Sequence, residues 1–158
     1  NYADMKLGKK IAWALLIAFV AIQFYRPERN EATGDHLSKF LAETNPSEEV
    51  AVILKSTCYD CHTDHTNYPW YAHVAPFSWI INQHIKNGKE ELNFSVYGSL
   101  EDREKISVLT SICEVISDNT MPPANYLMLH KDAALDSDDI SAICDWSDGI
   151  ALFIMRNR

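Results

Sequence analysis

The 158-residue chain has no basic excess, few cysteines and almost no strand pattern. It carries 14 lysines and arginines against 22 aspartates and glutamates. Once Lys6, Lys9, Lys10 and Asp4 are set aside, residues 26–158 hold 11 basic against 21 acidic residues, a net charge of −10. A body of that sign repels phosphate backbones, which excludes nucleic acid as a partner. Four cysteines are too few for a disulfide scaffold. There is no internal repeat or low-complexity tract. With 47% apolar and 23% charged residues, disorder and fibrous architectures are excluded, leaving one globular domain plus an appendage. No Ser-His-Asp set, phosphate loop or paired-carboxylate motif stands out.

The appendage is residues 1–25. Ile11 to Tyr25 reads IAWALLIAFVAIQFY, with Gln23 its one polar residue, after Lys6, Lys9 and Lys10 and before Arg26-Pro27-Glu28-Arg29. Fifteen helical residues rise about 22 Å against a hydrocarbon core of about 30 Å, so the segment reads as a short membrane span or a secretory h-region. No small-x-small cleavage site follows it and lysines flank it, which favours an uncleaved N-terminal transmembrane anchor over a buried core helix. Met5 before the basic residues reads as a native start. By charge asymmetry the N-terminus lies in the cytoplasm, giving a single-pass protein of the cytoplasmic (inner) membrane with its body in the periplasm. Residues 26–44 read as a linker with a short helix. Within it, Arg26 to Gly34 is a flexible polar tether with a root-mean-square reach of about 15 to 18 Å.

From residue 45 onward the pattern is helical, and the fold class is all-α with about four to five helices. Leu37, Phe40 and Leu41 share a face of a helix over 35–42. Asn45-Pro46-Ser47 marks a helix start, with Val50, Ile53 and Leu54 forming a stripe that runs into Cys58. A helix over 76–87, stopped by Gly88, puts Phe77, Ile80, Ile81 and His84 on its buried side. Ser99 begins a helix with Ile106, Leu109, Ile112, Cys113 and Ile116 at helical spacing. Asp136 caps the last helix, where Ile140, Ile143, Cys144, Ile150, Leu152 and Phe153 form the expected buried set. Residues 93–97 are the only stretch that reads as extended.

Cys58-Tyr59-Asp60-Cys61-His62 is a CxxCH sequence, the attachment signature of c-type haem. Two thiols one helical turn apart can each add across a vinyl group of one porphyrin, and the adjacent histidine then lies under the iron. Three other readings stay open. A zinc site would crowd Cys58, Cys61, His62 and His65 into eight residues. A redox CxxC lacks the preceding strand, and a structural disulfide leaves His62 without a role. Fifty-nine residues after His62, Met121-Pro122-Pro123 forms a stiff loop that suits a sixth, thioether ligand. His84 is the alternative ligand. Met5, Met128 and Met155 read as ordinary packing residues.

A CxxCH motif, a downstream Met-Pro loop and a terminal amphipathic helix resemble a class I cytochrome c. More narrowly, the chain resembles the bacterial haem-binding domain family of membrane-anchored, cytochrome-c-like proteins. The residues that carry this likeness are the CxxCH motif itself, Tyr68-Pro69-Trp70-Tyr71, Pro76, Ser78-Trp79, Asn93-Phe94-Ser95, Met121-Pro122, Tyr126, His130 and Trp146. The resemblance spans roughly residues 45–149 together with the short anchor. It implies one covalent haem c held by Cys58 and Cys61, with His62 and Met121 as axial iron ligands in a domain of residues 45–158.

Trp70, Tyr71, Trp79, Tyr126 and His130 are candidate haem contacts, with plain core packing the competing role for the aromatics. Cys113 and Cys144 lie outside the family pattern and are the one pair left after haem attachment. In a compartment that permits disulfides they are expected to bond, against the alternative of two buried free thiols. Six-coordinate iron favours electron transfer over catalysis. The expected function is therefore one-electron transfer in a respiratory chain, with redox proteins of the same membrane as partners, a quinol-oxidising complex or terminal oxidase among them. A haem-based sensor and a haem relay subunit of a larger complex are the alternatives.

Overall fold

The computed structural model describes residues 2–157. Eight α-helices are present among them: α1 (Tyr2–Ile22), α2 (Ser38–Thr44), α3 (Glu48–Thr57), α4 (Tyr59–His62), α5 (Phe77–Glu91), α6 (Asp102–Ser117), α7 (Ala124–Leu127) and α8 (Ser137–Arg156). Short 3-10 turns cover Trp70–His73, Phe94–Ser99 and Lys131–Ala133. Extended pairing among the described residues is a single bridge between Glu31 and His65. The all-α expectation holds.

Local sequence sets most helix ends. Ser47 accepts from the Val50 amide and starts α3. Asp136 accepts from the amides of Asp138 and Asp139 at 2.9 Å, while the Asp139 carboxylate takes the Asp136 amide, a reciprocal cap for α8. Glu104 accepts the Glu101 amide at the head of α6. The stretch over 93–97 is not extended. Asn93 accepts from the Ser95 amide and begins a 3-10 turn, a local side-chain bond competing with the extended form. Gly88 does not stop α5, which runs to Glu91.

Phe40, Leu54, Phe94, Tyr97, Leu109 and Ile143 are the most fully buried large apolar side chains. Phe40 meets Phe94 at 4.7 Å and Tyr97 at 5.3 Å between ring centroids, so α2 contributes to the core. Leu109, Ile112 and Ile116 of α6 pack with Ile143 of α8 in one cluster, and the same helix pair carries the Cys113–Cys144 disulfide. Leu152 and Phe153, expected inside, are exposed, as are Phe77 and Ile80 of α5. The helical period placed these residues on one face, but the packed face is set by where neighbouring helices lie. On α8 that face runs through Ile143, Ser147 and Ala151.

Two expectations for the N-terminal part are corrected. The apolar part of α1, residues 11–22, rises only about 18 Å, and among the described residues no helix is long and apolar enough to cross a membrane. Leu7, Ile11, Trp13, Leu15, Leu16, Ile17, Phe19 and Val20 are nonetheless exposed. The following residues are not a free tether either. The Gln23 amide and the Ala75 backbone exchange two hydrogen bonds, Trp79 Nε1 donates to the Tyr25 carbonyl, and Asn82 donates to Glu28. Asn30 donates from its side chain to the Thr63 carbonyl at 2.8 Å and to Thr66 Oγ1 at 2.9 Å, and accepts from Lys89 Nζ. The segment is a strap laid along the body. Composition made it look like solvated linker, but its polar groups are satisfied by the body instead.

Candidate functional site

The CxxCH residues form the end of α3 and all of α4, closed by the Cys61 and His62 amides bonding to the Cys58 carbonyl. Thr63 Oγ1 then stands 2.8 Å from both the Tyr59 and the His65 carbonyl oxygens, as donor to one of them, ending the turn. His62 donates Nδ1–H to the Leu92 carbonyl at 2.9 Å. A carbonyl can only accept, so this bond fixes the tautomer and leaves the Nε2 lone pair free for a metal. Burial lowers the His62 pKa, opposed by its bonds to Leu92 and Gly88, and the neutral, ligating form is favoured.

Cys58, Cys61 and His62 line a mainly apolar cavity of about 280 Å³ together with His84, Gly88, Ile116, Met121 and Tyr126. Gly88 is what lets α5 come against α4: a Cβ there would stand 2.9 Å from the Cys61 carbonyl oxygen. The sequence reading missed this role, although Gly88 follows His84 by one helical turn and shares its face. Both thiols are unbonded. Burial, with the neighbouring Cys61, pushes the Cys58 thiol up to about 12, and burial, with Asp60, pushes Cys61 up to about 11. They are neutral thiols in an apolar wall. Among the described residues no group of three or more His, Cys, Asp or Glu side chains converges as metal ligands. His65, the fourth ligand a zinc site would need, does not line the cavity that holds Cys58, Cys61 and His62.

The Met121 loop begins where Asn119 adopts a positive φ of 53°. The amides of Thr120 and Met121 both turn back to the Val115 carbonyl, at 3.0 and 3.2 Å. Pro122 and Pro123 continue the cavity wall, and α7 brings Tyr126 into it. Burial, followed by the nearby Asp60 and Cys61, raises the Tyr126 pKa, so its ring faces the cavity as a neutral phenol. Met121 is about one-third exposed at the mouth (36%). His84 also lines the cavity, on an exposed position of α5 rather than the buried side expected for it.

Of the candidate haem contacts, Tyr126 lines the cavity and the others stand away from it. Trp70 projects into solvent, 80% exposed. Trp79 packs edge-on against Tyr25 of the strap. Tyr71 and His130 hydrogen-bond to each other behind Tyr126. These aromatics attracted attention by residue type, which does not report direction. Two thiols, one imidazole with a free Nε2 and one thioether around a common apolar cavity are a donor set that fits haem.

The model of the haem-binding domain family matches residues 17–149, well over half of the chain. No curated protein and no solved structure matches it at a significant level.

Proposed function

Because the chain is a member of the haem-binding domain family, we propose that it is a monohaem c-type cytochrome that carries single electrons. The bound haem supplies a one-electron ferric/ferrous couple. Cys58 and Cys61 would hold the porphyrin through thioether bonds, and His62 Nε2 and the Met121 thioether would ligate its iron. The Leu92 carbonyl orients the His62 ring, and the prolines after Met121 restrain the loop that presents the sulfur. Two ligands from the chain would leave the iron without a coordination site for oxygen or peroxide, which favours a carrier over an enzyme. The observation that carries this reading is the cavity shared by both free thiols, His62 and Met121.

The reading includes attachment to a lipid bilayer through α1, supported by its exposed apolar residues and the neighbouring Lys9 and Lys10. It also places the haem domain in the periplasm, a compartment consistent with the Cys113–Cys144 disulfide. The redox partner then sits in the same membrane, within a respiratory chain. The docked strap supports a fixed orientation of the cavity relative to α1.

Acid-acetone extraction followed by a pyridine haemochrome spectrum tests the attachment. Haem remains with the wild-type chain and is released from Cys58→Ala/Cys61→Ala; haem retained by the double variant refutes covalent attachment. A second reading, a haem-based sensor with a labile Met121, is favoured by the exposure of that residue at the cavity mouth. Carbon monoxide separates the two. The reduced native carrier does not bind it, and the sensor does.

A further inference from the structure

Three rings connect the Met121 loop to the segment around Tyr71, which lies outside the cavity lining. The Tyr71 hydroxyl is hydrogen-bonded to His130 Nε2. His130 stacks on Tyr126 with centroids 4.2 Å apart and planes 9° from parallel. Tyr126 stands in the cavity wall with Met121, Pro122 and Pro123. Within the loop, the Pro123 carbonyl accepts the Tyr126 amide at 2.9 Å and the Tyr126 carbonyl accepts the His130 amide at 3.1 Å. Residues 123–130 are therefore tied by successive backbone bonds, and the ring of Pro122 stiffens their link to Met121.

The loop is held at its start by the bonds of Thr120 and Met121 to Val115. At its other end the hold comes from Tyr71, on a segment that is itself fixed. The Tyr68 hydroxyl accepts the Asn30 amide at 2.8 Å, the Val74 amide returns to the Tyr71 carbonyl, and Ala75 is locked to Gln23. The Tyr71 ring is further fixed by edge contacts with Trp70 and Phe77. A loop pinned at one end can swing; pinned at both, it keeps its sulfur over the cavity.

We propose that Tyr71 is a positioning residue which, through His130 and Tyr126, holds the Met121 thioether toward the cavity. The proposal rests on the reading that Met121 ligates iron. A net hydrogen bond is worth enough to change a two-state equilibrium about three- to tenfold, so loss of the Tyr71 hydroxyl shifts the loop toward sulfur-off forms by that factor.

The test uses the haem-loaded, full-length chain and two spectroscopic readouts: the weak far-red band of sulfur bound to ferric iron, and carbon monoxide binding to the ferrous form. Tyr71→Phe keeps the ring and removes the hydroxyl. It is expected to weaken the band and to raise the carbon-monoxide-reactive fraction about three- to tenfold at unchanged helicity by circular dichroism. His130→Leu, which removes both the bond and the stack, is expected to go further. His130→Gln, whose carbonyl still accepts from Tyr71, is expected to fall between wild type and His130→Leu. Wild-type spectra in Tyr71→Phe overturn the proposal whatever His130→Leu shows, as does loss of the band only in parallel with loss of helicity. Absence of the band from wild type itself refutes the Met121 reading before any variant is made, so the two failures are distinct.

Discussion

Gly88 and Cys61 approach so closely that a methyl group at residue 88 would lie 2.9 Å from the Cys61 carbonyl oxygen. Helix α5 can therefore lie on the CxxCH turn only because position 88 has no side chain. In an open helix, Gly→Ala gains up to about 1 kcal/mol in propensity. Here the new atom meets backbone, which cannot rotate away, and overpacking of this kind costs about 1 to 3 kcal/mol. Gly88→Ala is expected to lower stability in urea titration and to reduce haem incorporation. An equally stable, fully loaded variant would show that the helices can separate without cost.

Met121→Ala is expected to abolish the far-red sulfur–iron band, lower the reduction potential and open the iron to carbon monoxide. Met128→Ala is the control, because Met128 is 76% exposed and does not line the cavity. A band that survives Met121→Ala and vanishes in Met128→Ala would assign the other thioether, and a band absent from wild type would point to His84, which shares the cavity.

The strap gives a stability prediction. Asn30→Ala removes donors to Thr63 and Thr66 and the acceptor for Lys89, leaving the buried Thr63 carbonyl region less satisfied. The expected loss is about 1 to 3 kcal/mol in denaturant unfolding. Limited proteolysis of the variant should cut first within residues 23–36, whereas the wild-type strap resists.

Asp64 provides a pH dependence. Burial pushes its carboxyl up, but hydrogen bonds from Lys89 and Asn93, then the charges of Lys89 and His36, outweigh burial and hold it below the ordinary carboxylate value. A depressed folded-state pKa stabilises the fold at pH above the unfolded-state value, and that contribution is lost as pH falls through the folded-state value. Both Lys89 and Asp64 are roughly one-third exposed, so solvent screening limits the effect. Asp64→Asn is expected to flatten the stability profile below about pH 4. An unchanged acid limb would assign that limb to other carboxylates.

Cys113 and Cys144 are bonded across a sequence separation of 31 residues, joining α6 to α8. Closing a loop of that length restricts the unfolded chain by about 3 to 4 kcal/mol in the chain-entropy model. Cys113→Ala/Cys144→Ala is expected to lose stability of that order, with the haem spectrum kept. Non-reducing peptide mapping should recover the cross-linked pair. Alkylation of both thiols in the unfolded, unreduced protein would exclude the bond.

The residue sequence alone determined the helical class, the caps at Ser47 and Asp136, and the grouping of Cys58, Cys61 and His62 in one turn. These depend on local spacing: a 3.6-residue period, an oxygen placed to meet a first-turn amide, two thiols and an imidazole within five residues. It also singled out Met121 by its adjacent prolines, and the structure brings that residue to the cavity of Cys58, Cys61 and His62. The tertiary structure decided what spacing cannot encode. Leu152 and Phe153 lie on an apolar stripe yet face outward, since burial depends on where α6 and α3 pack against α8. Gly88 reads locally as a helix stop, and its place inside α5 is fixed by a contact with a carbonyl 27 positions earlier. The polar residues 26–34 look like a solvated tether, but their hydrogen-bond partners are supplied by residues 63–89, distant in sequence. Trp70, Tyr71, Trp79, Tyr126 and His130 were visible as residue types. Only the fold decided that Tyr126 faces the cavity, that Tyr71 and His130 stand behind it, and that Trp79 holds the strap, because a side chain's direction is set by the elements packed around it.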